Sequence, residues 1–256
     1  MICYGKKHQN GIGGKAEGLF WLLEIGLQVP DFLVIPYDNF RNIIPSENEN
    51  WDSETVRKNL LKYSLPGDDR ERLLQILDTW DFPKNAVVVR SSVLDEDGGK
   101  NAFPGVMDSY LNIVSMEDLE DAMAKCAASA WSANAEAYRK QHNLDPLAKP
   151  AVIIQQQIEP DASGVIFTTF PQYPQEMAIH AVLGFGEALM NGEVEADEFY
   201  FYKKTGKLHR QKITSKTMAY RKASSSGLQS AYVESGLQEQ PCLQNVVLQE
   251  IFENAR

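Results

Sequence analysis

Cysteine and histidine are scarce in this chain, cations are outnumbered, and no long apolar run occurs. The three cysteines, Cys3, Cys126 and Cys242, lie far apart in 256 residues and are odd in number. That spacing offers neither a disulfide framework nor a metal-ligand pattern, and reduced thiols in a cytoplasmic protein are expected. The four histidines, His8, His142, His180 and His209, show no ligand spacing and no serine or cysteine partner pattern, so each reads as a surface or core residue. Met1 to Asn10 lacks the apolar stretch of a signal peptide, and nothing approaches the roughly 20 apolar residues of a membrane span. Neither secretion nor membrane insertion is expected.

With 25 Lys and Arg against 35 Asp and Glu, the formal net charge is -10, a field that repels a phosphate backbone. Nucleic acid is therefore not an expected partner. The same field disfavours free nucleotide, so any nucleotide site must gather cations locally and bring a divalent metal. What is present is ordinary for a protein with a well-formed core: 43% of residues are hydrophobic and 23% charged, enough for one large domain or two close lobes.

The glycine-rich turn Gly11-Ile12-Gly13-Gly14-Lys15 leads into a helical pattern with Ala16, Leu19, Phe20 and Leu23 on one face and Gly26 as a stop. Phe32 to Ile35 reads as a buried strand, and helices are expected over Glu54 to Tyr63 and Asp68 to Trp80. Ala86 to Arg90 is a β-branched run ending in a cation, followed by an acidic loop to Lys100. Ser115 has the pattern of a helix cap, and one long alanine-rich helix is expected from there to about Gln141. From Ala151 the texture turns to strands: Ala151 to Ile158, Gly164 to Thr169, Met177 to Leu183, and a hairpin of Phe199 to Tyr202 with Lys207 to Ile213. A boundary near residue 150 follows, with lobes over 1–150 and 151–256. Residues 214–240 read as polar connection, and a last helix starts near Cys242.

Each candidate for chemistry has a plain alternative. The Gly13-Gly14-Lys15 turn can bring backbone amides and a cation to phosphate oxygens; it lacks the Walker A spacing, and a glycine-rich helix entry with a solvated lysine is the commoner source of such a pattern. Arg90, at the end of its strand, offers a planar fork suited to phosphate or a structural ion pair with Asp95, Glu96 or Asp97. Phe103 to Ser109 is a second glycine-centred turn, able to fold over phosphates or to be a simple turn. Gln155 and Gln157 alternate with Ile154 and Ile158, so their amides share a side, reading an adenine edge or facing solvent. Glu187, Glu193, Asp197 and Glu198 suggest magnesium ligands or a solvated acidic loop.

The order and spacing of these pieces resemble the ATP-binding domain of phosphoenolpyruvate synthase, pyruvate phosphate dikinase and rifampin phosphotransferase. The resemblance is carried by Gly13-Gly14-Lys15-Ala16-Glu17-Gly18-Leu19 with Gly26 to Pro30, by Val87 to Ser92, and by Phe103-Pro104-Gly105-Val106-Met107-Asp108-Ser109-Tyr110-Leu111-Asn112. Val152 to Gln155, Ser163 to Thr168, Gly184-Phe185-Gly186-Glu187 and Asp197-Glu198-Phe199 follow in the family's order. It implies an α+β ATP-grasp fold of two lobes holding Mg-ATP between them. Lys15 and Arg90 would be catalytic cations on the phosphates, Gly105 and Ser109 would belong to a phosphate-covering lid, Gln155 would lie near adenine, and Glu187 would be a further site member. No metal ligand is assigned. The family's later acidic strand motif and Gln-x-Arg motif are absent from residues 1–256, as are the phosphohistidine carrier domain and the acceptor-substrate domain. The expectation is a C-terminally truncated ATP-binding module of a phosphotransferase that passes a phosphoryl or pyrophosphoryl group to a histidine on another domain. The alternative is a non-catalytic nucleotide-binding or regulatory module.

Overall fold

The computed structural model describes residues 2–5, 10–46, 49–94, 107–169 and 173–256. The chain divides into two compact units, Met1–Ile158 with Ser224–Gly227, and Glu159–Ala223 with Leu228–Arg256. Both are mixtures of helices and antiparallel sheet. Among the described residues, no helix is long and apolar enough to cross a membrane.

The first unit is built on strands β1 (Cys3–Tyr4), β2 (Phe32–Ile35), β3 (Val87–Val93), β4 (Ser109–Ile113) and β5 (Pro150–Gln156). They form one antiparallel sheet in the order β1-β2-β5-β3-β4. β5 is the middle strand because it is apolar on both sides: Val152 and Ile154 join one core, Ala151 and Ile153 the other, as a strand covered on both faces requires. The compact units consequently divide after Ile158, beyond the boundary expected near residue 150. β3 also differs from expectation. It runs on past Arg90 to Val93, between β5 and β4, because Ser91 and Ser92 are small enough to be buried in the sheet.

Helix α1 (Gly14–Glu24) covers one face and contributes Ala16 and Phe20 to its core. Gly26, at φ 86°, ends it, with its own N–H on Leu23 and that of Leu27 on Leu22, the left-handed stop that a glycine permits. The opposite face carries α2 (Ser53–Leu60), α3 (Gly67–Thr79) and α4 (Met116–Ser129), whose Val56, Leu60, Leu73, Leu77, Leu119 and Met123 fill the larger core. α5 (Ala133–Gln141) is separate from α4, so the single long helix expected from alanine content is two. The break lies at Ser132, whose hydroxyl accepts the Ala135 N–H at 3.2 Å and starts a new helix.

Residues Ser224–Gly227 belong to this unit as well. Asn112, in the left-handed region at φ 53° within a bulge of β4, donates its amide to the carbonyls of Ser225 at 2.7 Å and Gly227 at 2.9 Å. A bulge needs such a residue, and asparagine is among the few that adopt the conformation readily.

The second unit holds β6 (Ala162–Phe167), β7 (Glu176–Leu183), β8 (Asp197–Tyr202) and β9 (Lys207–Lys212) in an antiparallel sheet of that order. α6 (Glu187–Met190) lies between β7 and β8, and α7 (Asn245–Ala255) closes the core. Met177, Ile179, Phe199 and Phe201 alternate toward Leu248 and Phe252 of α7, with the rings of Phe201 and Phe252 stacked at 5.2 Å. The 214–240 segment, expected as polar connection, contains a further hairpin, β10 (Met218–Lys222) and β11 (Leu228–Tyr232).

Candidate functional site

The start of α1 is docked on β3 by one hydroxyl. Ser92 Oγ donates to the Ile12 carbonyl at 2.8 Å and accepts the Ala16 N–H at 3.2 Å. It therefore serves as a helix cap supplied by a strand, since Gly13 at the cap position has no side chain to do so. Gly13 is forced on the sequence twice over: its φ is 77°, and a Cβ would lie 2.6 Å from the Ser92 carbonyl and hydroxyl. Gly13→Ala is expected to lower unfolding free energy by about 1–2 kcal/mol through backbone strain and overpacking. Gly18→Ala, in the same helix where an added Cβ meets nothing, should raise it by about 0.5–1 kcal/mol. Equal denaturation midpoints for the two variants would contradict this docking.

Ser92 also fixes which side of the sheet Lys15 shares with Arg90. Side chains two apart on a strand share a face, as do directly opposed residues in an antiparallel pair. Arg90 and Ser92 thus lie on the α1 side, and Arg90 is opposite Ser109 on β4 and Ile153 on β5. Gln155, two residues from Ile153, takes the same face. Lys15 and Arg90 are both half-buried and Ser109 is exposed. Both cations act on one group across the sheet, the Cys126 thiol. Burial is the main cause that holds this thiol well above its ordinary range and Asp108 adds to it, while Lys15 and Arg90 pull it down.

Gln155 is 5% exposed and donates Nε2 to the Pro30 carbonyl at 3.1 Å, which uses one of its amide N–H groups. Gln157 lies beyond the end of β5, and its Oε1 accepts the Asn112 N–H. Its task is to hold the β4 bulge. Gly105 lies outside the described residues, as do His8 and the acidic residues 95–97 that were the alternative partners of Arg90.

In the second unit, the acidic residues separate by role. Asp197 is fully buried and accepts from the Thr214 N–H at 2.9 Å, the Cys242 N–H at 2.8 Å and the Lys216 ammonium at 2.9 Å. Glu193 accepts from the Tyr220 hydroxyl at 2.7 Å and the Asn191 amide at 3.0 Å, and these bonds hold its carboxyl below the ordinary range. Glu198 accepts from the Tyr200 hydroxyl. Glu187, half-buried at the start of α6, is the opposite case: burial first, then the charge of Glu193, keep its carboxyl above the usual glutamate range. Among the described residues, no group of three or more His, Cys, Asp or Glu is arranged to hold a metal ion.

Ser92 was not anticipated, although a serine two residues past a candidate arginine is a recognisable signal of a shared face. Lys216 carried no signal at all, because its partner lies 19 residues away in sequence.

Residues 9–256 match the family model described as the pyruvate phosphate dikinase AMP/ATP-binding domain. The chain is similar to phosphoenolpyruvate synthase of Aeropyrum pernix, 29% identical over 81% of this chain and 29% of the relative. It is similar to rifampicin phosphotransferase of Bacillus subtilis, 29% identical over 89% of this chain and 29% of the relative. The prodigiosin synthesizing transferase PigC of Serratia marcescens is 29% identical over 80% of this chain and 24% of the relative. The matched region thus spans less than a third of each of these relatives.

Proposed function

The chain belongs to the pyruvate phosphate dikinase AMP/ATP-binding domain family, and on that premise we propose that Lys15 and Arg90 bind the phosphates of ATP for phosphoryl transfer. The observation that carries this reading is the Ser92 link: one hydroxyl bonds both the turn before Lys15 and the first turn of α1, and Arg90 stands two residues away on the same face. Two cations, a helix start and the Ser109 hydroxyl on one side of a sheet suit a polyphosphate better than a single carboxylate would. As the transferred group develops charge, fixed guanidinium and ammonium groups stabilise it without reorganising.

Gln155 would lie near adenine through Oε1 and its second N–H, and Glu187 would be a further site residue. Gly105 would cover the phosphates together with Ser109. We read the two units as the lobes of an ATP-grasp fold. The carboxylates described supply no ready magnesium set, because Asp197, Glu193 and Glu198 are engaged by protein donors. Magnesium would enter as the chelate with ATP. The acceptor would be a histidine on a phosphocarrier domain, with a further domain for the final substrate, in the same longer chain or in a partner. A cytoplasmic location goes with this reading.

Calorimetric titration of the 256-residue chain with Mg-ATP, beside Lys15→Ala, tests it. Loss of one charge-assisted contact should weaken binding by about 1.5–3 kcal/mol. Equal affinity of parent and variant would remove Lys15 from the site, and failure of the parent to bind would overturn the reading for this chain.

A further inference from the structure

We propose that Cys126 and Ser129, on the far side of the sheet from α1, are positioning residues for the phosphate site, fixing the Asp108 backbone and through it the place of Ser109 opposite Arg90. The proposal rests on the nucleotide reading of the Lys15 and Arg90 face.

The two side chains sit at i and i+3 in the last turn of α4, where helical neighbours fall on one face. Both are buried. Ser129 Oγ accepts the Asp108 N–H at 3.3 Å, and Cys126 Sγ–H donates to the Asp108 carbonyl at 3.5 Å. The Ser91 N–H, on the strand of Arg90, donates to that same carbonyl at 3.2 Å. Asp108 is therefore held on its N–H side by one residue of α4 and on its C=O side by another, immediately before β4 begins at Ser109.

Proton inventory and distance set the directions. A serine hydroxyl has one proton; of the two acceptors near Ser129, the Cys126 carbonyl at 2.8 Å takes it in preference to the weaker and more distant Met107 Sδ at 3.9 Å, and its lone pairs then face the Asp108 N–H. The Cys126 thiol, kept protonated by burial, is a donor and not an acceptor toward the Asp108 oxygen. Neither side chain is on the Lys15 side of the sheet, so their route to phosphate runs through Asp108, forward to Ser109 on β4 and, by the shared carbonyl, to Ser91 beside Arg90.

The test has two arms. In the chain without nucleotide, Ser129→Ala should speed hydrogen exchange at the Asp108 amide by about tenfold, on the order expected for loss of one part-buried hydrogen bond, while α4 and β3 keep their protection. With Mg-ATP, Ser129→Ala and Cys126→Ala should each weaken binding on the order of three- to tenfold; adenosine binding should be unchanged, and Cys126→Ser, which keeps a donor, should recover most of the loss. Unchanged exchange at Asp108, a thermal midpoint that drops with Mg-ATP affinity intact, or an equal loss for adenosine each overturns the assignment. A parent chain that binds no Mg-ATP overturns the nucleotide reading itself, an outcome visible before any variant is compared.

Discussion

Asp197→Asn is expected to lower the stability of the second unit by about 3–5 kcal/mol, the cost of leaving a buried charge without its partner. Lys216 is the charge in question: its side chain is 5% exposed, and its ammonium donates to Asp197 at 2.9 Å and to the Thr214 carbonyl at 2.8 Å. Asparagine fills the same volume but replaces one carboxylate oxygen by an N–H₂ donor, which then faces N–H groups of Thr214 or Cys242. At about 2–4 °C per kcal/mol for a chain of this size, the thermal midpoint should fall by about 6–20 °C. The pair need not be favourable in itself, since burying two charges is expensive; adding Lys216→Met to Asp197→Asn, which removes the unpaired charge and keeps an amide oxygen for the backbone N–H groups, should regain part of the loss. A single variant that melts like the parent would show that Lys216 finds water instead. The pH dependence has a definite sign. Burial alone raises the Asp197 carboxyl, but the bonds from Thr214, Cys242 and Lys216 outweigh it and hold the group below the ordinary aspartate value of 3.8. Such a group contributes stability above its unfolded value and loses it as pH falls through the folded one. The wild-type chain should therefore lose this contribution only below about pH 4, and Asp197→Asn should flatten that part of the stability profile.

Legibility in the sequence followed the range of the interaction responsible. α1 and its Gly26 stop, the buried β2 and the pairing of β8 with β9 depend on neighbours a few residues apart, and local periodicity exposes such features. The division at Ser132 was hidden because alanine favours helix on both sides of it, so propensity has no minimum there and only the capping hydroxyl marks the break. β10 and β11 were hidden by their length and their surroundings: Met218 to Lys222 and Leu228 to Tyr232 are five residues each, and the serines and lysines around and between them read as a loop. What those serines do depends on Asn112, more than 100 residues earlier, which binds Ser225 and Gly227. The candidate site shows the same division. Lys15, Arg90 and Ser109 stand in recognisable glycine and strand contexts, whereas Ser92, Cys126 and Ser129 act through contacts that only the folded sheet creates. Arg90 was legible as a residue but not in its position, since the end of a strand was expected and β3 runs on past it to Val93, which leaves Arg90 in the strand's interior.

That interior position shapes what removal of Arg90 should do. Arg90→Ala is expected to weaken Mg-ATP binding by about 1.5–3 kcal/mol, roughly ten- to 150-fold. The thermal midpoint should change little, because the Val87, Val89 and Val93 side chains that anchor β3 in the core point to the other face. Arg90→Lys separates charge from geometry. A lysine keeps one positive charge but loses the planar fork that grips two phosphate oxygens together, so an affinity between parent and alanine variant is the expected result. Raising ionic strength should narrow the gap between parent and Arg90→Ala, since partly exposed charge contacts are screened over about 8–10 Å at physiological salt. The competing role, a structural ion pair, makes the opposite pattern: stability falls, Mg-ATP affinity stays, and Lys substitutes nearly as well as Arg. Melting curves and titrations on the same three proteins decide between them. The nucleotide assignment survives only if the loss appears in the titration.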